Sequence, residues 1–239
     1  MLKNINQKNP PTEIIEKLVK LYHEGKLDEV LSGSSQLIKI YPNIAVLHNI
    51  IGVIYFQKGQ NDLAVASFRN VIALDPYHPH AYNNLGATFI NMQGYQEAKI
   101  NLEKAIKLKS DYAEAYNNLG NICKELQEYD KAIVHYEKAI ALNPDYYEAM
   151  NNLGVVLRKN KKNDESEKVC KMLKKAIKKQ PEFADGYSSL GALLTSLEKY
   201  EEAEEALNHA KRIDPNSARL HYLLGLLYSK KEEFLESNK

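Results

Sequence analysis

Apolar residues recur along this chain in short blocks at helical spacing. Over 79–112, Tyr82, Leu85, Gly86 and Phe89 form an i, i+3, i+4, i+7 stripe. Ala98, Leu102, Ala105 and Ile106 form a second stripe after a polar turn at Met92-Gln93-Gly94. In that turn Gly94 is expected to take the positive φ that ends a helix. Gly86 and Ala98 are small at the positions where two antiparallel helices come closest, so a helix hairpin is predicted. Its apolar faces cannot be covered by one hairpin alone, which calls for stacked neighbours.

The same pattern repeats along the chain. Ile51-Gly52, Leu85-Gly86, Leu119-Gly120 and Leu153-Gly154 are 34 residues apart; Leu190-Gly191 follows after 37 and Leu224-Gly225 after 34. Pro42, Pro76, Pro144, Pro181 and Pro215 keep the beat, with Ser110 standing in one proline slot. Proline stops each second helix and presets the turn to the next unit. Ala64, Ala98, Ala132 and Ala203 mark another column; Ala105, Ala139, Ala176 and Ala210 mark a fifth. The units are 11–44, 45–78, 79–112, 113–146, 147–183 and 184–217, with a partial unit at 218–239 and a flexible lead over 1–10. The three extra residues of the fifth unit fall either in the turn Asn160–Asp164 or in its second helix near Cys170, and the helix is favoured because Glu165 to Lys179 contains no breaker. The partial unit is expected to hold a full first helix on Leu220, Leu223, Leu224, Leu227 and Tyr228, then the opening residues of a second.

The motif Tyr-x-x-Leu-Gly-x-x-Tyr/Phe, followed by Ala, Ala and Pro at fixed spacing, resembles the tetratricopeptide repeat over 11–239. That resemblance implies an all-α, right-handed α-solenoid of stacked antiparallel helix pairs, six full units and one C-terminal half unit. It further implies first helices lining a concave groove, second helices on the convex back, and a role in binding proteins. The first unit keeps Leu18, Leu21, Gly25, Leu37 and Pro42 but has Lys17-Leu18 where the Leu-Gly pair belongs, as suits a terminal unit with a wet outer face.

Composition excludes several classes of function. Lys and Arg (32) balance Asp and Glu (31), so net charge points to neither nucleic acid nor an acidic partner. Two cysteines rule out a disulfide framework and a four-cysteine zinc site. No apolar run reaches the roughly 18 residues that span a bilayer, and MLKNINQKNPP has no secretory apolar core. A cytoplasmic location is expected. Nucleotide-loop, zinc-protease and nucleophile-elbow motifs are missing, so a non-catalytic chain without cofactors is expected. His78 and His80 flank Pro79, but no third ligand accompanies them in sequence to hold a metal. Cys123 fills the slot of Tyr55 and Phe89 and reads as a small core residue; Cys170 lies in the irregular helix.

The groove positions carry the functional expectation. The second unit offers Val46, Asn49, Ile50, Val53 and Phe56, a largely apolar patch. Further along come Asn83-Asn84, Asn117-Asn118 with Asn121, Asn151-Asn152, and Ser188-Ser189. Asn84, Asn118 and Asn152 recur every 34 residues. An asparagine amide offers donors and an acceptor, as a peptide bond requires. A row of them could hold an extended peptide by its backbone, or could simply be a solvated face. The row resembles the asparagine ladder of O-linked N-acetylglucosamine transferases. The lysine-asparagine-asparagine-lysine-arginine clamp of co-chaperones is not matched: Asn121 and Asn152 fit, but Asn117, Asp185 and Ser189 stand where lysine, lysine and arginine belong.

Between Arg158 and Lys179 ten basic residues face three acidic ones, whereas the next second helix carries Glu198, Glu201, Glu202, Glu204 and Glu205. The basic run could attract an acidic partner, a phosphoinositide or RNA, but the two charged faces are expected to complement each other. The leading reading is a protein-interaction scaffold holding an extended segment in the groove. A second is the substrate-selecting region of a larger glycosyltransferase or sulfotransferase, whose repeat regions this chain resembles. Self-assembly through exposed terminal helices is the third.

Overall fold

The computed structural model describes residues 12–160 and 163–237, and every regular element among them is a helix. They are α1 (Thr12–His23), α2 (Leu27–Ile40), α3 (Ala45–Gln57), α4 (Asn61–Leu74), α5 (Pro79–Asn91), α6 (Tyr95–Leu108), α7 (Ala113–Glu125), α8 (Tyr129–Leu142), α9 (Tyr147–Lys159), α10 (Asn163–Lys179), α11 (Ala184–Ser196), α12 (Tyr200–Ile213) and α13 (Ala218–Ser237). Each of the six full repeats holds a helix pair. The lead over 1–10, Lys161 and Lys162 lie outside the described residues. The chain divides into two compact units, one up to Ala115 and the other from Tyr116, with the division inside α7.

In the first unit, small residues set the fit between paired helices. A Cβ added to Gly52 would lie 2.6 Å from the Phe68 ring. One added to Gly86 would lie 2.7 Å from Leu102 Cγ and 3.2 Å from the Ala98 carbonyl oxygen, so Gly86 and Ala98 do sit at the closest approach. Leu18, Val30, Leu47 and Ile54 build one core cluster, and Ala64, Val65, Phe68 and Leu85 another.

The turn at 92–94 differs from its expectation. Gly94 has φ −82, and Gln93 takes the left-handed conformation at φ 60. Gln93 N–H donates to Ile90 O at 2.9 Å and Gly94 N–H to Phe89 O at 2.8 Å, the bonding of a Schellman motif. That motif places positive φ one residue after the C-cap Met92, the slot that Gly25 and Gly59 fill in the first two repeats. Gln127 and Glu198 occupy it in the second compact unit.

The second unit is built on the same seats. A Cβ on Gly120 would lie 2.5 Å from the Tyr136 ring, and one on Gly191 would lie 2.5 Å from Leu207 Cγ. The irregular repeat departs from them. Helix α10 has 17 residues where α8 and α12 have 14, so the extra residues lengthen the second helix as expected. The seat at Gly154 is met first by Leu193 of α11, at 3.0 Å, and by Val169 of α10 only at 3.8 Å. Leu157, Leu173, Leu193, Leu207, Leu220 and Leu227 are among the fully buried side chains of the core cluster of this unit.

At the C-terminal end, α13 runs unbroken for 20 residues, whereas α9 and α11 have 13. The expected turn into a second helix does not form. Ser229 to Glu233 contains no glycine or proline, and Lys and Glu sustain a helix. The Phe234 ring meets Tyr200 edge-on at 5.4 Å, and Lys231 bonds Glu204 at 2.9 Å, which ties the extension to α12.

Charged faces of the second helices interlock. Lys174 reaches Glu202 at 2.7 Å, Lys199 reaches Glu167 at 2.7 Å, and Lys168 lies 3.7 Å from Glu137. The basic face of α10 thus complements α12, as expected, and also α8. Exposed pairs of this kind contribute about 0–1 kcal/mol each.

Candidate functional site

The predicted groove residues all lie on first helices. In the first compact unit, Asn84 Nδ2 points at Asn49 Oδ1 at 3.5 Å, a long bond between α5 and α3. Asn83 is buried, as is Thr88, whose hydroxyl turns back to the Asn84 carbonyl oxygen at 2.7 Å. Val53 and Phe56 are half-buried against the Ala64, Val65, Phe68 and Leu85 cluster. Leu18, Val19, Tyr22, Asn49, Ile50 and Val53 line an apolar cleft of about 270 Å³. Asn49 is the one polar amide among them.

The second unit carries a denser polar network. Asn152 Nδ2 donates to both Asn117 Oδ1 and Asn121 Oδ1, each at 3.2 Å. Asn117 is 1% exposed and donates to Glu148 Oε1 at 3.1 Å. Asn121 Oδ1 also accepts from the buried Tyr136 hydroxyl at 2.8 Å. These asparagines therefore brace α7 against α9, and Asn152 spends its amide hydrogens inside the wall. A peptide alongside would meet its carbonyl oxygen. Asn118, like Asn84 and Asn152, is half-buried.

Three cations missed by the sequence reading of the groove complete this face. Lys124 of α7, Arg158 of α9 and Arg219 of α13 line a cleft of about 330 Å³ together with Asn151, Asn152 and Tyr222. Arg219 Nη2 donates to Ser189 Oγ at 3.0 Å and Asn151 Oδ1 at 3.3 Å, and Nη1 lies 3.5 Å from Asp185. Ser189 is consequently buried and held by Arg219. The sequence pattern marks Arg158 only as part of a basic run. The signal that could have singled it out is its slot, 34 residues after Lys124 at the end of a first helix.

The histidines and tyrosine at the start of α5 and α7 have structural tasks. His78 caps α5, its Nδ1 accepting from Ala81 N–H at 3.1 Å, with Pro79 as the first helical residue. His80 Nδ1 and the Tyr112 hydroxyl share a hydrogen bond of 2.7 Å. Burial pushes the Tyr112 phenol up and the His80 imidazole down, the latter helped by nearby Lys109. Among the described residues no three His, Cys, Asp or Glu side chains converge as metal ligands. Cys123 and Cys170 are buried and form no disulfide. Burial pushes the Cys170 thiol up to about 11, unlike the depressed value of a nucleophile. No described helix is long and apolar enough to cross a membrane.

Comparison with known proteins agrees with this architecture. Family models described as tetratricopeptide repeat match residues 79–112, 113–146 and 135–168, and one described as TPR repeat matches 52–93 and 191–231. The first two ranges coincide with units read from the leucine-glycine register. The crystal structure of MamA is 30% identical, covers 68% of this chain and 93% of its own, and superposes with a TM-score of 0.57. PilF of Pseudomonas aeruginosa, at 18% identity, covers 89% of this chain and 96% of its own with a TM-score of 0.73. YrrB, described as a TPR protein with an unusual peptide-binding site, is 23% identical, covers 83% and 97%, and has a TM-score of 0.58. No curated protein matches the sequence.

Proposed function

The chain belongs to the tetratricopeptide repeat family, and on that premise we propose that it is a non-catalytic scaffold spanning 11–239 that holds an extended segment of a partner protein against its first helices. One observation carries this reading. Asn84, Asn118 and Asn152 remain half-exposed on first helices, while the second helices spend Lys168, Lys174 and Lys199 on one another's carboxylates. Asn84 and Asn152 direct amide hydrogens at neighbouring asparagines, so this face would meet a peptide backbone mainly through half-exposed carbonyl oxygens that accept from its N–H groups. The apolar cleft beside Asn49 adds a seat for a side chain. That YrrB, a protein of the same fold, has a peptide-binding site supports the reading. Two cysteines without a disulfide are in keeping with work in the reducing cytoplasm.

The test is selection of extended peptides from a displayed library, followed by titration of the selected peptide. Replacing Asn84, Asn118 and Asn152 together with alanine should weaken binding about tenfold or more, some 1.4 kcal/mol. Replacing the exposed Lys171, Lys175 and Lys178 of α10 should leave it unchanged. Equal affinity of the asparagine variant and the native chain would refute the proposal.

A further inference from the structure

The cleft lined by Lys124, Arg158 and Arg219 has an uneven charge balance. No carboxylate is among its lining residues. Two of the three cations already have an acidic neighbour outside the lining: Lys124 lies 3.4 Å from Glu125, and Arg219 lies 3.5 Å from Asp185. Arg158 has no hydrogen bond or ion pair to any described residue, and its Nε is buried without a hydrogen-bond partner. An arginine side chain keeps its charge at any physiological pH, so this group cannot relieve the imbalance by losing a proton. A buried N–H left unpaired is destabilising, and a guanidinium finds its best partner in an oxyanion that takes two parallel N–H bonds.

We infer that this cleft receives the carboxylate of a glutamate or aspartate side chain in the segment bound along the first helices, with Arg158 as its main partner; the inference rests on the first-helix reading of function. Two countercharged cations and one uncompensated cation leave a single positive charge, which suits a monoanion better than a phosphate dianion. Fork-like bonding would use Nε and one terminal nitrogen, so the guanidinium turns toward the cleft and gains the partner its Nε lacks. Val155, Ala192 and Leu223 form the apolar part of the lining and can hold the methylene stem of the acidic residue. Tyr222, 67% exposed at the cleft, offers a ring to the next residue of the segment. Arg158 and Arg219 lie outside the five positions of the co-chaperone clamp, which is why matching that pattern gave no hint of the cleft.

The experiment is fluorescence anisotropy on the full chain with three labelled dodecapeptides, all C-terminally amidated. One alternates Glu with Thr, one alternates Gln with Thr, and one alternates phosphoserine with Thr. The Glu peptide should bind at least tenfold more tightly than the Gln peptide, and no more weakly than the phosphoserine peptide. Arg158→Gln should abolish the preference for Glu over Gln, whereas Arg158→Lys should keep part of it. A triple Lys171→Gln, Lys175→Gln, Lys178→Gln variant should retain it in full. Circular dichroism melts that overlay for the native chain and Arg158→Gln ensure that lost preference is not lost folding. A preference unaffected by Arg158→Gln, or removed by the α10 triple variant, would overturn the inference. So would tight binding only after the terminal amide is replaced by a free carboxylate, or only of the phosphoserine peptide. If Glu and Gln peptides bind alike and both are weakened by the asparagine variant, the carboxylate inference fails and the scaffold reading survives. If no first-helix variant affects any peptide, both fail.

Discussion

Gly120 and Tyr136 are fitted so closely that a single added carbon has no room: a Cβ on Gly120 would lie 2.5 Å from the tyrosine ring. The relationship recurs as Gly52 with Phe68, Gly86 with Leu102, and Gly191 with Leu207. In these four repeats the residue sixteen places after the glycine therefore keys the second helix to the first. At Gly225 the seat is open, and an added Cβ meets nothing within 4 Å.

That contrast predicts opposite signs for one substitution. Gly120→Ala should destabilise by about 1–3 kcal/mol, because the core around Tyr136 must shift to admit the methyl. Gly225→Ala lies in an unopposed helical position and should stabilise by up to about 1 kcal/mol. Urea unfolding midpoints of the two variants measure this, and shifts in the same direction would contradict the fitted-seat account.

The left-handed turn residues give a second prediction. Gln93, Gln127 and Glu198 hold φ near 60 in a slot where Gly25 and Gly59 sit elsewhere. Side chains pay about 1–2 kcal/mol for that conformation. Replacing Gln127 with glycine should recover part of it, about 1 kcal/mol, seen as a higher melting temperature. Replacing Gly94 with alanine should cost little, since Gly94 has φ −82 and an added Cβ would come no closer than 3.4 Å to Phe89.

Alkaline pH should unfold the chain through groups that burial keeps neutral. Cys170 rises from 9.0 to about 11, and the phenols of Tyr112 and Tyr136 are pushed above their ordinary 10.0. Below pH 9 these groups are protonated in folded and unfolded chains alike, and their contribution is fully present. Above it the unfolded chain loses protons first, so stability falls as pH rises through about 11. Melting temperatures from pH 7 to 11 should decline, and a Cys170→Ala, Tyr136→Phe variant should decline less steeply. A flat native profile would contradict this.

Tyr136 also tests the wall of asparagines. Its hydroxyl donates to Asn121, which in turn accepts from Asn152. Tyr136→Phe should cost about 1 kcal/mol, since Asn121 keeps one partner. Asn121→Ala removes the acceptor from both donors and should cost more. Equal losses in thermal unfolding would mean that the network is not shared.

The helix pairs were legible because small residues at fixed spacing leave a mark that any local reading can register: Gly86, Ala98 and Leu102 announce their contact in sequence. The lengthened α10 was legible for a similar reason, since nothing between Glu165 and Lys179 breaks a helix. The turn was misjudged because glycine drew the positive φ to Gly94, whereas the slot is set by distance from the helix end and falls on Gln93. The unbroken α13 was missed because the repeat template called for a turn that the local residues do not encode. The basic cleft was hidden for a different reason. Lys124, Arg158 and Arg219 come from three helices, and Arg219 reaches Asn151 across 68 residues of sequence. Only packing brings such groups together.

The central claim, that a partner segment lies along the first helices, is tested most directly by photocrosslinking. A benzophenone amino acid is placed at Val155 on α9 in one variant and at Lys175 on α10 in another, each mixed with the selected peptide. Crosslinking from Val155 and none from Lys175 is the predicted result. Crosslinking from Lys175 with none from Val155 would put the partner on the second helices and contradict the account.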